Sequence, residues 1–394
     1  MKKSKNIVLC WFRSDLRLDD NPAFYNASNC ECVLPVYIYD NVNIKKFQIG
    51  EASKWWLYNS LISLNKSLNN CLSFYKGDPI SIINNIVEEY NIKKVFWNRQ
   101  YDLQRINRDK IIKKNLVESG VQVFTYNGSL LWEPWDILKA DNTPYKVFTP
   151  FYRKGCLNAP EPRSPIGIPK NSDLFRDQRF SSDINDLGLL HKGLWSKKFY
   201  NHFVPGEASA NKQLKEFIKI GLDDYKEGRN FPGKKNVSRL SPFIKFGEIS
   251  PNKIWYSLKN NLRFSADKNT DHFLSELGWR EFSYYLLFHF PKIVDTNLQE
   301  KFDNFAWENN VNFLNKWKVG QTGYPIVDAG MRELWETGYM HNRVRMIVGS
   351  FLVKNLLVDW REGEKWFWDC LLDADLASNS ASWQWVAGSG ADAA

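Results

Sequence analysis

The sequence is organised around a stretch that begins His341-Asn342-Arg343-Val344-Arg345-Met346 and ends Trp383-Gln384-Trp385. An apolar run at 351–358 lies between these ends, and a segment that is apolar on every side is predicted to be a buried helix. On a helix, positions 342, 345, 346 and 349 share one face. That face offers an amide, a guanidinium, a thioether and a glycine, which suits a large planar ligand lying close to the backbone.

Asp373 lies just after this run, in the segment Leu371-Leu372-Asp373-Ala374-Asp375. Because an unpaired guanidinium would be costly inside a core, we predict that Asp373 neutralises Arg345. The alternative is a helix start with solvated polar residues in front of an ordinary core. The stretch alone leaves both interpretations open.

The N-terminal third of the chain alternates apolar strands with helical patterns. Strands are predicted at 7–12, 32–39, 72–75, 94–97 and 121–126, and helices at 51–68, 79–89 and 102–117. This alternation implies a parallel sheet with crossover helices, whose ligands lie beyond the carboxyl ends of the strands. No G-x-G-x-x-G motif follows the first strand, so the ordinary dinucleotide fingerprint is absent.

The alternation stops near residue 130, where the domain organisation changes. Four prolines between 160 and 169 mark a wandering connection, and the pattern is helical from about 206 onward. We therefore predict an α/β domain at 1–130, a linker at 131–205 and an all-α domain at 206–394.

The composition favours an anionic partner and a reducing compartment. The 394 residues carry a net charge of +9, and ten of the 17 tryptophans lie between Trp255 and Trp385. A positive charge and many indoles are both typical of proteins that bind nucleic acid. Basic groups can also serve only to keep a protein soluble, and indoles can simply pack in a core. Six scattered cysteines and five dispersed histidines predict neither disulfides nor a metal site. No stretch is suited to spanning a membrane, and we expect a cytoplasmic protein.

Two polar segments follow one another in the helical half. Residues 228–235 nearly match the phosphate-binding P-loop motif. Lys235 stands where the motif requires a hydroxyl, and no strand precedes the segment, so we reject that motif. The next segment, Val237-Ser238-Arg239-Leu240-Ser241-Pro242, has two hydroxyls and an arginine. It either holds a diphosphate or caps a helix that begins near Pro242, and both interpretations are compatible.

A later helix carries polar residues on one face. Glu276, Trp279, Arg280 and Ser283 recur at spacings of three and four. They form either the wall of a wet cavity or a surface stripe with an i,i+4 Glu-Arg pair.

Six segments together resemble motifs of the DNA photolyase and cryptochrome family, most closely its class I cyclobutane pyrimidine dimer photolyases. They are Trp11-Phe12-Arg13-Ser14-Asp15-Leu16-Arg17, Tyr145-Lys146-Val147-Phe148-Thr149-Pro150-Phe151, Trp279-Arg280-Glu281-Phe282, and residues 322–329, 341–346 and 373–385. The match runs in family order over nearly the whole chain. It implies a Rossmann-like parallel-sheet antenna domain followed by a helical domain that holds FAD.

The resemblance assigns roles by position. The FAD-binding residues would be Tyr225, Ser238, Arg239, Leu240, Ser241, Phe273, Arg280, Asn342, Arg345, Asp373, Asp375 and Asn379, with Asn342 beside the reactive flavin nitrogen N5. The residues facing a flipped-out thymine dimer would be Glu276, Trp279, Asn342, Arg343, Met346 and Trp385. The photoreduction chain from flavin to surface would be Trp383, Trp360 and Trp307. We expect Glu276, Asn342 and these three tryptophans to be the catalytic residues.

The implied function is light-driven repair of cyclobutane pyrimidine dimers in DNA by electron transfer from excited, reduced FAD. A flipped dimer could stack on indoles while a basic rim holds phosphates. Damaged DNA is the expected partner, and we expect a monomer. Two alternatives stay open: a cryptochrome-type blue-light receptor without repair, and a flavin-free basic nucleic-acid-binding protein.

The sequence departs from the family pattern at two places, and each departure leads to a prediction about chromophore binding. Class I relatives often bind 5,10-methenyltetrahydrofolate through an Asn-Glu pair where this chain has Gln104-Arg105, so we expect folate binding to be weak or replaced by another antenna chromophore. Family members also normally continue past the point where this sequence stops. We therefore expect an exposed apolar surface near Trp385 and Val386 and incomplete FAD binding.

Overall fold

The computed structural model describes residues 6–43, 47–170, 172–190, 195–261 and 267–393. Its N-terminal part contains one parallel sheet with strand order β3-β2-β1-β4-β5. The strands are β1 (Ile7–Phe12), β2 (Cys32–Tyr39), β3 (Ser73–Lys76), β4 (Lys94–Asn98) and β5 (Gln122–Tyr126). The five predicted strands are confirmed, each bound falling within one residue. The strand order reverses between β1 and β4, which opens a crevice at the carboxyl ends of the strands.

Helices cover both faces of the sheet. They are α1 (Pro22–Ser28), α2 (Glu51–Ser67), α3 (Pro79–Glu89) and α4 (Leu103–Glu118). Leu9 and Trp11 of β1 pack toward α3 and α4, while Cys10 and Phe12 pack toward α1 and α2. Burial on both faces explains why β1, β2 and β4 are continuous apolar runs. The prediction that β5 is also buried is wrong, because it lies at the edge of the sheet and its residues are partly exposed. Helix α1 was missed; the Asn21 side chain caps it by accepting from the Phe24 N–H.

The remainder of the chain is helical. It contains α5 (Glu207–Glu216), α6 (Tyr225–Gly228), α7 (Ser241–Lys245), α8 (Pro251–Lys259), α9 (Lys268–His289), α10 (Val311–Lys318), α11 (Pro325–Thr337), α12 (Asn342–Ser350), α13 (Trp360–Cys370) and α14 (Leu376–Ala387). The last strand and α5 lie on either side of the predicted linker, which contains a π-helical turn at Pro150–Gly155. Among the described residues, no helix is both long and apolar enough to cross a membrane.

The apolar run at 351–358 is not one helix, so that prediction is wrong. A π-helical turn covers Phe351–Asn355, Leu357 has a positive φ of 51°, and α13 begins only at Trp360. The physical reason is that Lys354 and Asn355 interrupt the run and are exposed. The run is therefore not apolar on every side, and the chain leaves the helix after Asn355, at Leu357.

The sheet and the helical half share a core, which positions the site. Trp56 of α2 donates from Nε1 to Glu248 Oε2 at 3.1 Å, and Ser53 of α2 donates to the Leu371 carbonyl at 3.0 Å. At the other end of the chain, Val386 is buried and Trp385 is half-buried. The expected exposed apolar patch at these two residues is therefore wrong for this fold.

Candidate functional site

Arg345 and Asp373 form a buried ion pair at the centre of the helical half. Both Nη atoms of Arg345, on α12, donate to the Asp373 carboxylate, at 3.0 and 2.8 Å. The Asp373 side chain is 3% exposed, and it also accepts the Ser241 hydroxyl at 2.5 Å. The predicted neutralisation of Arg345 is confirmed. The guanidinium side chain is 23% exposed, so part of it is open to a ligand.

The segment from Ser238 to Ser241 leads into α7. Leu240 is the N-cap residue and makes no side-chain capping bond, so the interpretation of the hydroxyls as helix caps is wrong. The Arg239 guanidinium lies 4.8 Å from the ring centres of both Phe203 and Tyr339. Its Nε is buried without a hydrogen-bond acceptor among the described residues. A buried cationic donor without an acceptor fits an anionic ligand such as the diphosphate of FAD.

Tyr225 and Phe273 form an aromatic wall beside this segment. Their ring centroids are 5.2 Å apart, and both rings pack on Phe217. Burial raises the pKa of the Tyr225 hydroxyl well above its usual value, so it is a neutral donor at physiological pH. The wall is apolar with one polar tip, which suits an aromatic or ribityl portion of a flavin.

Glu276 and Arg280 are one turn apart on α9 but have different partners. Glu276 accepts from Arg229 Nη2 at 3.0 Å. Arg280 donates to Glu281 at 3.0 Å and lies 4.6 Å from the Tyr284 ring centre. The surface stripe with an i,i+4 pair is therefore wrong, because each charge has a partner that is better shielded from water. Sequence reasoning missed Arg229, which lies 47 positions from Glu276 and outside any local pattern.

The start of α12 carries several predicted site residues. His341 is the N-cap, and its imidazole accepts from the Arg343 N–H at 3.2 Å. Asn342 is exposed. The Arg343 guanidinium donates from Nε to Asn230 Oδ1 at 2.9 Å and lies 3.5 Å from the Met346 sulfur. Arg343 and Met346 are thus brought together next to the segment that contains Arg229.

Trp279 and Trp385 are linked through the motif at 145–151. Trp279 stacks on Phe148 with ring centroids 3.8 Å apart. Asp392 accepts from the Phe148 N–H at 3.3 Å through its carboxylate and from Trp385 Nε1 at 3.1 Å through its carbonyl. One face of the Trp279 indole is therefore covered by Phe148. Stacking of a base on Trp279 would use the opposite face.

The three tryptophans assigned to photoreduction share one apolar cluster. Trp383 and Trp360 are buried in it, and Trp307 is partly buried at its edge. The same cluster contains Trp317, which is fully buried and has its ring centroid 6.3 Å from that of Trp383. Nothing in the sequence distinguishes Trp317 from the other nine tryptophans of the helical half. Its proximity to Trp383 is a result of tertiary packing.

Asp375 and Asn379 begin α14. Asp375 is the N-cap residue and accepts the Tyr284 hydroxyl at 2.5 Å. Asn379 is 9% exposed, and its Nδ2 donates to the Glu364 carbonyl at 3.3 Å. Asn379 is therefore a buried amide, in contrast to the exposed Asn342.

A cavity of about 170 Å³ lies at the carboxyl ends of the strands, against the helical half. Its lining is aromatic and strongly charged and includes Trp11, Arg13, Tyr39, Asp40, Arg99, Arg105, Arg108, Lys245, Arg280, Tyr284, Trp368 and Asp375. Arg105 pairs with Asp102 at 2.9 Å, whereas Gln104 is exposed and does not line the cavity. Burial lowers the pKa of Lys245 to about 7. Arg280 and Asp375, assigned to FAD by position, lie on the wall of this cavity.

Comparisons with known proteins match both halves of the chain. The family model for DNA photolyase matches residues 8–167, and the model for the FAD binding domain of DNA photolyase matches residues 273–394. A deoxyribodipyrimidine photo-lyase of Agrobacterium fabrum is 44% identical over 98% of this chain and 81% of its own. Cryptochrome-2 of Arabidopsis thaliana is 37% identical over 99% of this chain and 66% of its own.

A solved structure agrees with these matches. The crystal structure of a bacterial class III photolyase from Agrobacterium tumefaciens superposes with a TM-score of 0.95 at 43% identity, covering 100% of this chain and 82% of that one. The helical half contains the FAD-binding domain, and its buried donors fit the cofactor. This chain belongs to the DNA photolyase and cryptochrome family.

Proposed function

We propose that this protein repairs cyclobutane pyrimidine dimers in DNA by light-driven electron transfer from reduced FAD. The proposal rests on the contact between residues assigned to FAD and residues assigned to the lesion. The Tyr225 ring contacts the Arg229 guanidinium at 5.5 Å, and Arg229 donates to Glu276 at 3.0 Å. After burial, the groups that act on the pKa of the Tyr225 hydroxyl are Arg229, Glu276, Tyr339 and Arg343. The Tyr339 ring in turn contacts Arg345, at 5.3 Å. The residues assigned to FAD thus adjoin those assigned to a flipped base.

Each half of this site has a distinct task. When bound, reduced FAD excited by light would supply an electron that splits the dimer and would take it back from the repaired bases. Arg239 and the Ser238 hydroxyl would bind the diphosphate, while Ser241 donates to Asp373, and Arg345, held by Asp373, would face the flavin ring. These groups fix the orientation of the cofactor and offset its negative charge.

The other half would hold the lesion. Glu276 is positioned by Arg229, so its carboxylate can accept a hydrogen bond from a pyrimidine N–H. Arg343 and Met346 contact each other on α12, and a base could stack on the face of Trp279 opposite Phe148. The dimer must leave the helix to reach them, which costs only a few kcal/mol at a distorted site.

The position of Asn342 next to flavin N5 stays a prediction. An amide at N5 can hydrogen-bond several redox states, whereas a carboxylate there would disfavour the anionic reduced flavin. Asn379 is a second, buried amide, so the two can be compared directly. We expect Asn342→Asp to alter flavin photoreduction more than Asn379→Asp; the reverse order in anaerobic absorption spectra would transfer the role to Asn379.

The repair assay separates the alternatives. Purified protein would be reduced without oxygen, mixed with an oligonucleotide that carries one thymine dimer, and exposed to blue light. We expect intact thymines in the light and none in the dark. A flavin-bearing protein that shows no repair would be a cryptochrome-type receptor, and a colourless protein that binds DNA would be the flavin-free alternative. An oligonucleotide with a six-four lesion is the specificity control.

We also propose a second chromophore in the 170 Å³ cavity. Its aromatic and charged lining suits a flat, polar ring, and Arg105 occupies the place of a pterin-binding acid, so we expect a chromophore other than methenyltetrahydrofolate. Reconstitution with folate, flavin or deazaflavin, followed by absorption spectra, would test this. One tightly bound folate per chain would contradict it. The motifs suggest class I, whereas the Agrobacterium structure is that of a class III photolyase.

The cellular setting remains a proposal as well. None of the six cysteines, all within the described residues, forms a disulfide, which supports the cytoplasm as its location. We propose a monomer, to be tested by light scattering at several protein concentrations. A mass twice that of one chain, even at the lowest protein concentration, would contradict this.

A further inference from the structure

Phe231 is an apolar side chain that the fold holds out in water. It lies in the loop 229–236, between α6 and α7, and is 54% exposed. Pro232 follows it, so an aromatic ring and a pyrrolidine ring lie together at the surface. Single exposed apolar residues are common on proteins and need no explanation by themselves. Phe231 differs from these residues because its loop is held by hydrogen bonds and is joined to the proposed lesion site.

The loop is fixed at both ends. The Phe231 N–H donates to the Gly228 carbonyl at 3.1 Å, and the Phe231 carbonyl accepts from the Lys234 N–H at 3.0 Å. Asn236 closes the loop by donating its Nδ2 to the Asp223 carbonyl at 2.8 Å. The exposed ring therefore sits on a hydrogen-bonded turn, so little ordering would be needed when it binds a partner.

The same loop is joined to the proposed lesion site. Asn230, next to Phe231, accepts from Arg343 Nε at 2.9 Å. Arg229, one residue earlier, donates to Glu276 at 3.0 Å. Phe231 thus lies within two residues of the side chains that contact Arg343 and Glu276, both of which are assigned to the flipped lesion.

One lysine contacts the ring, and two more lie on the same loop and its preceding helix. The Lys234 ammonium lies 4.8 Å from the Phe231 ring centre and 3.4 Å from Asp224. Lys226 and Lys235 are exposed on the same loop and its preceding helix. An aromatic ring among lysines suits a partner that presents stacked bases between phosphates.

We propose that Phe231 inserts into the DNA stack beside the flipped lesion and fills the gap that the lesion leaves. This inference rests on the proposed dimer repair. Apolar side chains inserted between base steps are a recurrent way to hold a distorted duplex. The ring would stack on a base that has lost its neighbour, while Lys234 contacts a backbone phosphate. Phe231 would then act on the duplex and have no direct part in splitting the dimer.

The test compares Phe231→Ala with Phe180→Ala. Phe180 is a matched control, since it is 57% exposed in a loop and has a guanidinium, that of Arg179, 5.6 Å from its ring centre. Binding of wild type and both variants would be measured at one salt concentration to three DNAs: a duplex with one thymine dimer, the undamaged duplex and a single strand with the dimer. Each variant would be melted to show that it is folded.

We expect Phe231→Ala to bind the dimer duplex about tenfold more weakly, as the loss of one stacked base predicts, and to bind the dimer single strand like wild type. Phe231→Trp should restore duplex binding, and Phe180→Ala should match wild type throughout. A 2-aminopurine opposite the lesion should be brighter with Phe231→Ala, because the gap is no longer filled. Lys234→Ala should instead weaken binding to damaged and undamaged duplex alike and reduce the salt dependence.

Two results would overturn the inference while leaving dimer repair standing. One is equal binding of the dimer duplex by Phe231→Ala and wild type. The other is an equal loss of binding to duplex and single strand, which would make Phe231 a general contact. If wild type itself shows no preference for the dimer duplex, the proposed function fails and the inference fails with it.

Discussion

Two arginines, the buried Arg108 and the half-buried Arg239, show what separates framework from ligand site. Arg108, on α4, uses all three guanidinium nitrogens within the protein, donating to Asp109, Asp40 and Gln100. Arg239, in the helical half, is held between two aromatic rings, and its buried Nε has no acceptor among the described residues. A buried donor without an acceptor costs free energy. At the sheet edge Arg13 and Arg99 also have a buried Nε without an acceptor among the described residues, but each pairs with a carboxylate, Asp109 or Glu133, through another nitrogen. No carboxylate among the described residues pairs with Arg239, which lies where the cofactor is proposed to bind.

The largest effect on stability and FAD binding is expected for a buried carboxylate at the proposed cofactor site, compared with one in the sheet half. Asp373→Asn removes the charge that balances Arg345, and breaking such a buried pair costs about 3–5 kcal/mol. We expect loss of bound FAD together with a lower free energy of unfolding. Flavin per chain and denaturant unfolding would measure both.

Asp20→Asn is the matched change in the sheet half. The Asp20 side chain is fully buried and pairs with Arg163. We expect a comparable loss of stability but normal flavin content in the folded fraction. Equal loss of flavin in both variants would show that the contrast reflects stability alone.

A smaller effect on stability is expected from the titration of Glu248, which lies where the sheet and the helical half meet. Burial raises the pKa of Glu248 to about 8 from an ordinary 4.5, and its carboxyl group accepts from Trp56 on α2. Because the folded protein holds this proton to higher pH than the unfolded chain, the stabilisation is fully present below pH 4.5 and is lost as the pH rises through 8. The loss should amount to a few kcal/mol.

Glu248→Gln keeps the shape and the bond to Trp56 but cannot ionise. The difference in unfolding free energy between variant and wild type should therefore grow from pH 5 to pH 8.5, roughly the window between the two pKa values. Urea unfolding at several pH values would measure it. Parallel pH curves for the two proteins would show that Glu248 does not titrate in this range.

Removing the unpaired donor should affect binding more than folding. Arg239→Met keeps an apolar stem between the Phe203 and Tyr339 rings but loses the cation. A hydrogen bond to a charged group contributes about 1.5–3 kcal/mol, so FAD affinity should fall roughly 10- to 100-fold. The apoprotein should unfold as wild type does. Arg108→Met is the counterpart, and it should destabilise the apoprotein instead; the same outcome for both arginines would remove the contrast.

The smallest effect on folding is expected for Trp307→Phe, at the edge of the apolar cluster. The change conserves most of the volume and should leave the melting temperature nearly unchanged. We expect slower photoreduction of the flavin and undiminished repair by pre-reduced enzyme. Equal loss of both activities would assign Trp307 a packing role. Trp317→Phe would show whether the indole next to Trp383 shares the task.

The sequence alone was sufficient for the sheet and for part of the site. Strands buried on both faces are continuous apolar runs, so their bounds can be predicted from local pattern. The pairing of Arg345 with Asp373 followed from the cost of an unpaired charge in a core, although the two lie 28 positions apart. The resemblance to known motifs then identified the family, which the comparisons confirmed.

Tertiary structure decided which side chains meet. Arg229 reaches Glu276, Trp279 stacks on Phe148, and Arg280 turns toward the cavity at the sheet edge. Helical periodicity groups residues that are three or four apart, whereas these contacts join distant segments brought together by packing. The end of the helical segment after Asn355 was likewise not predicted, because local pattern did not show that Lys354 and Asn355 face water. Local pattern therefore predicted the elements, and burial of charge and apolar surface set the geometry of the site.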